Sequence, residues 1–263
     1  MIDIHTHILP GLDDGADSME EALAMASRAV ADGIRIMVAT PHVITGLYPN
    51  SRKAVLEALE RFKGALQGND IPLTVLPGAE YRLEPELGER LSRGELLTIN
   101  DGGRYLLVEM PPMLVPDFAV QVFYELQLQG VTPIIAHPER NAGFVREPGL
   151  LYDLVSRGAL SQITAGSLTG LLGSAAAACA RKFLERGYVQ FIATDAHSGD
   201  EGARAPLLAE AADEAARFLG EEQGRSLVTA NPHRAILGKA VEANPLEYKR
   251  QARRAFWKML FRR

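Results

Sequence analysis

One cysteine and one tryptophan stand among 263 residues, and aromatic side chains make up only 6%. A lone Cys179 excludes a disulfide framework and a cysteine zinc site. No apolar run is long enough to span a bilayer. No basic region with an apolar stretch stands ahead of the first strand, so a cytoplasmic location is the expectation. A surplus of positive charge is also missing. Lys and Arg number 28 against 33 Asp and Glu, a net charge of −5, which argues against a general nucleic-acid binder. No strand-like segment is followed by the glycine fingerprint of a dinucleotide or phosphate-binding loop. What is present is ordinary for a globular protein: 47% hydrophobic and 23% charged residues, with ample length to bury a core.

The order of segments is more informative than their composition. A short buried strand is expected around Ile2 and Ile4, then a helix from the capping run Asp17-Ser-Met-Glu-Glu to Ala31, stopped by Asp32-Gly33. Further strands are expected over 34–40, 73–80, 104–109, 131–137, 160–165 and 188–195. Helices are expected over 54–66, 84–93, 118–129, 150–157 and 174–186, with more to about residue 238. Strand and helix thus alternate about seven times, which predicts an α/β fold with a parallel sheet and helical crossovers, either a barrel or doubly wound. Residues 1–238 are expected to form one catalytic domain, with 239–263 as a separate tail.

The chemistry-bearing residues collect at strand ends. His5 and His7 are two apart on the first strand and so share a face. The turn Asp13-Asp14-Gly15 follows. His42, Glu80, Glu109, His137, Asp195 and His197 each fall at, or just past, the end of an expected strand. In a parallel barrel those ends converge on one face, where catalytic groups lie. Strand caps or core histidines would also account for any single member, but not for five of the six histidines choosing such positions. Imidazole and carboxylate without thiolate suit Mn²⁺, Fe or Zn²⁺. Eight or nine candidates exceed the needs of one ion, so two or three divalent ions sharing a carboxylate are expected. Such a cluster fits hydrolysis of a phosphate ester. Arg140, three residues past His137, and Arg204, seven past His197, are candidates to hold the phosphate, the alternative for each being a surface salt bridge. Tyr48 and Tyr81 are candidates for the substrate mouth or for plain packing. A cysteine-dependent mechanism is disfavoured, because the sixth residue after Cys179 is Glu185 rather than arginine and the surroundings are Ala-rich helix.

These motifs resemble the polymerase and histidinol phosphatase (PHP) superfamily: Ile-Asp-Ile-His-Thr-His7 with Asp-Asp-Gly15, Thr-Pro-His42, Gly-Ala-Glu80, Val-Glu109, Ile-Ala-His-Pro-Glu-Arg140 and Thr-Asp-Ala-His197. Within it the chain is most similar to the CpsB/YwqE-type capsular and exopolysaccharide tyrosine phosphatases, from Met1 to Asn231-Pro-His-Arg234. The resemblance implies a distorted (β/α)₇ TIM-like barrel with a trinuclear site, commonly of manganese. It implies one ion on His5, His7, Glu80 and Asp195, a second on Glu80, Glu109 and His137, and a third on Asp14, His42 and His197. Asp13 remains an alternative to Asp14. The implied substrate is phosphotyrosine on the tail of a bacterial tyrosine autokinase that controls polysaccharide synthesis. A phosphoesterase acting on a small metabolite such as histidinol phosphate, and an idle domain of the same fold that only binds, are the other readings. The segment Ser161-Gln-Ile-Thr-Ala-Gly166 departs from the family pattern, in which Asn tends to follow the Gln-x pair.

The C-terminal stretch is the exception to the acidic balance. Lys249, Arg250, Arg253, Arg254, Lys258, Arg262 and Arg263 accompany Phe256, Trp257, Leu260 and Phe261. At helical spacing this makes a basic amphipathic helix, suited to peripheral contact with an anionic membrane or to an acidic partner; a solvated or self-docked terminal helix accounts for it equally.

Overall fold

Two prolines and a Gly-Ala pair shape the first half of the sheet. In the computed structural model, which describes residues 1–248 except 201 and 203, β1 (Ile2–Thr6) pairs in parallel with β2 (Ile36–Ala39), and β2 with β4 (Thr74–Pro77). The strand expected over 34–40 ends at Ala39, and after Thr40-Pro41 the chain resumes as β3 (His42–Val43). The strand expected over 73–80 is broken likewise, with Gly78-Ala79 between β4 and β5 (Glu80–Arg82). Proline cannot donate to a ladder. A Cβ at Gly78 would lie 2.7 Å from Val38 Cγ1, so only glycine lets the two strands pass this closely. Beyond the breaks a second parallel sheet runs in the order β3, β5, β6 (Tyr105–Glu109), β7 (Thr132–Ala136), β8 (Leu160–Thr164) and β9 (Phe191–Ala193).

The crossovers are helical, as the alternation predicts. They are α1 (Met19–Ala31), α2 (Arg52–Gly68), α3 (Leu87–Ser92), α4 (Ala119–Leu128), α5 (Ala142–Arg146), α6 (Gly149–Ser156), α7 (Ala165–Leu168) and α8 (Ser174–Glu185), followed by α9 (Ala209–Leu219), α10 (Glu221–Ser226) and α11 (Ala230–Ile236). Short helices α5 and α7 and strand β3 have no counterpart in the sequence reading, because segments this brief carry no period to detect. The N-caps of α1 and α2 are Ser18 and Ser51, each accepting a backbone N–H three residues on. Apolar faces of the helices pack on the sheet's outer face around Met25, Phe62, Leu126 and Phe183, all fully buried. A second cluster (Ile4, Val38, Leu107, Ile134 and Phe191) fills the opposite face.

The last strand returns to the first. Asp195 N–H donates to His5 O at 2.9 Å and His7 N–H to Ala196 O at 2.8 Å, with Thr6 and Ala196 bridged in parallel. The two ends of the chain thereby carry His5, His7, Asp195 and His197 to one place. Among the described residues no helix is long and apolar enough to cross a membrane. The expected basic helix lies, from Lys249 onward, outside the described residues.

Candidate metal centre

Strand alternation turns His5 and His7 to the same side, and both are fully buried. Their Nε2 atoms lie 3.2 Å apart. Both face the same two carboxylate oxygens: Glu80 Oε2 at 3.3 and 3.4 Å, and Asp195 Oδ1 at 3.3 and 3.4 Å. The rings are aimed from behind. His5 Nδ1 is 2.8 Å from Gln162 Oε1, and His7 Nδ1 is 2.6 Å from Asp13 Oδ2. With Nδ1–H donating to these acceptors, each Nε2 lone pair is left facing the cluster, the usual way outer partners set the tautomer of a metal-binding imidazole.

The Asp13-Asp14 turn divides its two carboxylates. Asp13 is occupied, accepting from His7 and also from the backbone N–H groups of His42 at 2.8 Å and Gly15 at 3.0 Å. Asp14 faces the other way, with Oδ1 3.6 Å from His42 Nε2 and 3.4 Å from His197 Nε2. Gly15 is demanded by the fold of this turn, since a Cβ there would sit 2.0 Å from His7 O.

Glu80 is the hub. Its Oε1 lies 3.0 Å from His137 Nε2. Its Oε2 has His42 Nδ1 at 3.0 Å in addition to His5 and His7, yet it is buried and accepts a hydrogen bond from none of them. A buried carboxylate oxygen without a donor is expensive in a metal-free protein. Three nitrogens crowding one such oxygen is instead the arrangement a shared cation requires. Glu109 Oε1 lies 3.5 Å from His42 Nδ1 and accepts from Arg82 Nε at 2.9 Å. Among the described residues, three sets of donor atoms lie within 4.8 Å of one another and could each hold an ion: His5, His7 and Glu80; His42, Glu80 and Glu109; and His7, Asp14, His42 and His197.

Two residues reach the cluster through backbone conformations that L side chains rarely adopt. His137 has φ 32° and Asp195 φ 53°, a cost of about 1–3 kcal/mol each where strain is full. Both sit just past a strand end, and the left-handed step turns the side chain inward. Arg140, in the turn after His137, donates to Asp195 Oδ2. Arg204 lies against His197 Nε2, with Nη1 3.7 Å from Asp14 Oδ2. Both guanidinium groups are partly exposed, so they stand at the rim.

Burial and mutual charge compete throughout. Burial acts to raise the Glu80 and Asp195 carboxyls, but the surrounding imidazoles, His5 foremost, hold both well below the usual carboxylate range. Burial acts to lower His5 and His7; Glu80 and Asp195, together with Asp13 at His7, raise both. His197 is pushed down to about 4 by burial and by the charge of His7. Such opposed, closely spaced groups are typical of a functional site.

Several participants are supports that the sequence reading did not single out. Asp3, fully buried and pushed up to about 6 by burial, accepts from Thr194 and from the His5 backbone, tying β1 to β9. Its place two residues before His5 is the one hint, a shared face. Gln162, Arg82 and Glu139 act across long sequence separations. Glu139 anchors the turn bearing His137 and Arg140 by accepting from Thr164 N at 2.9 Å and Ser167 Oγ at 2.7 Å. Tyr81 does not line the mouth. It is buried, and its hydroxyl accepts from Leu97 N at 2.7 Å. Tyr48 stacks on His42. Cys179 is buried on α8, where burial pushes its thiol up to about 12. Treatment with iodoacetamide is therefore expected to leave catalytic activity intact; inactivation that substrate protects against would place the thiol in the reaction.

A model of the capsular polysaccharide synthesis CpsB/CapC family matches residues 1–237. The chain belongs to this family. It is 48% identical over 198 residues to the tyrosine-protein phosphatase YwqE of Bacillus subtilis strain 168, covering 75% of this chain and 78% of that protein. A solved structure described as YwqE from Bacillus subtilis and CpsB from Streptococcus pneumoniae, unique metal-dependent tyrosine phosphatases, superposes with a TM-score of 0.90 at 41% identity, over 95% of this chain and 100% of that one. The histidinol phosphate phosphatase of Lactococcus lactis, at TM-score 0.52 and 12% identity over 88% of this chain and 94% of that one, shares the fold alone. The mixed α/β architecture with parallel strands is thus a property of the CpsB/CapC family and of more distant hydrolases.

Proposed function

We propose that this chain is a metal-dependent protein-tyrosine phosphatase whose catalytic domain spans 1–238, a span supported by the family match over 1–237. Glu80 carries the proposal: a buried carboxylate with an unpartnered oxygen encircled by His5, His7 and His42. In this reading His5, His7, Glu80 and Asp195 hold one ion; Glu80, Glu109 and His137 a second; and Asp14, His42 and His197 a third. The engagement of Asp13 with His7 supports Asp14 as the ligand. Mn²⁺ is the expected metal, and the same nitrogen and oxygen donors would accept Fe or Zn²⁺. The strands are read as one closed PHP-type (β/α)₇ barrel, counting β2 with β3 and β4 with β5. The hydrogen bonds from Asp195 and His7 between β1 and the last strand support this.

The bound ions would lower the pKa of a coordinated water and offset charge on the phosphoryl oxygens. The chain's own residues supply the rest. Arg140 and Arg204, poised at the rim on Asp195 and on Asp14 and His197, turn their forks to the phosphoryl group and hold it for in-line attack. Gln162 and Asp13 keep the two imidazoles from rotating. The substrate in this proposal is phosphotyrosine on a bacterial tyrosine kinase of capsule or exopolysaccharide synthesis, consistent with the names of the relatives.

The Mn²⁺-loaded protein is to be assayed on a phosphotyrosyl peptide, histidinol phosphate and single-stranded DNA. The expected result is the highest kcat/KM on the peptide, lost on chelation and restored by Mn²⁺. A preference for histidinol phosphate would overturn the reading.

A further inference from the structure

Within the cluster, histidine rings contact one another: His5 with His7 and His137, His7 with His42 and His197, and His42 with His197. Among the described residues, one ring other than histidine joins them. Tyr48 lies nearly parallel to His42, with planes 8° apart and centroids 5.7 Å apart, an offset stack. Unlike Tyr81, it is only half-buried.

The loop that carries Tyr48 is built to hold it. Ile44 and Tyr48 exchange backbone hydrogen bonds of 3.0 and 2.9 Å across a tight turn, where Gly46 takes φ +80°. Thr45 is tied through its hydroxyl to Glu84 at 2.9 Å. Asn50 Nδ2 donates to Leu12 O at 2.7 Å and His42 O at 2.9 Å, fastening the loop to the segment that leads into the Asp13-Asp14 turn. Beside it Leu47 is 61% exposed, an apolar side chain kept at the rim.

We propose that Tyr48 is the residue that selects aryl over alkyl phosphates, its ring stacking on the phenyl ring of the substrate while the phosphoryl group enters the cluster. This inference rests on the phosphatase reading above. A phosphate on a phenol places a flat ring just outside the oxygens that the basic groups hold. A preorganised ring at the edge of the same cluster meets it at little entropic cost. Among the described residues no other aromatic ring stacks on the imidazoles of the cluster.

The test compares two ligands of the Mn²⁺-loaded protein, phenylphosphonate and methylphosphonate, by calorimetry and as competitive inhibitors of p-nitrophenyl phosphate turnover. Tyr48→Ala is expected to shrink the preference for phenylphosphonate by about tenfold, while Tyr48→Phe and Tyr48→Trp keep it. The KM for a phosphotyrosyl peptide rises in Tyr48→Ala with a smaller change in kcat. Equal weakening of both ligands would mean that the ring merely holds His42, and an unchanged ratio would mean that it does nothing for the aryl group. Either outcome overturns the inference. Failure of the wild-type protein on phosphotyrosyl peptide, with the phenylphosphonate preference intact, would instead count against the assignment of substrate.

Discussion

Replacing Asp195 with asparagine is expected to lower phosphotyrosyl peptide turnover by at least about a hundredfold and to reduce the bound metal, while leaving the fold in place. The substitution is chosen for the backbone. Asp195 has φ 53°, a conformation that asparagine tolerates better than other side chains, so the left-handed step after β9 survives. What changes is charge. Oδ1 lies 3.3 Å from His5 Nε2 and 3.4 Å from His7 Nε2, and an amide there offers a neutral group in place of one negative charge. Oδ2 is the acceptor for Arg140, so the amide also loosens the rim. Metal content by atomic emission and circular dichroism, read beside initial rates, separate these effects from unfolding. Full activity with full metal content would remove Asp195 from the proposed ligand set.

Arg140→Ala is expected to reduce kcat/KM by about two to three orders of magnitude, and Arg140→Lys to recover less than a tenth of the loss. Lysine restores a charge but not the planar fork that meets two phosphoryl oxygens together. The inhibition constant of inorganic phosphate should rise in parallel, because the same contacts hold product and substrate. Removing the guanidinium also leaves Asp195 Oδ2 without its donor in a buried position. Metal content and thermal unfolding therefore have to be measured on the same samples. Wild-type behaviour of the lysine variant would reduce the role of Arg140 to simple charge balance.

The rhythm of the chain was readable because it is periodic. The helix over Met19–Ala31 starts at a serine cap and ends at Asp32-Gly33, and strands such as Tyr105–Glu109 and Thr132–Ala136 are short, mostly apolar runs that begin two residues after a glycine. The strand end at Thr40-Pro41 was readable, but its resumption at His42 and the break at Gly78-Ala79 were not. Gly78 is explained only by the nearness of Val38, forty residues earlier in the chain. Tyr81 and Tyr48 looked alike in sequence, each close to a candidate ligand. Packing buried the first under Leu97 and left the second on the rim.

The list of candidate ligands came from chemistry and position alone, since imidazoles and carboxylates at successive strand ends have few other uses. By itself the sequence determined that His5, His7, Asp14 or Asp13, His42, Glu80, Glu109, His137, Asp195 and His197 would be candidates, and that Cys179 would not. Only the tertiary structure decided which of them stand beside which. It set Asp13 behind His7 and Asp14 before His42 and His197, made Glu80 the shared centre, and recruited Gln162, Arg82 and Asp3 as supports. The reason is physical. Periodicity along a chain records which side a residue faces, but the partner across the site is a matter of distances between strands 30 to 190 residues apart, and no local pattern carries those.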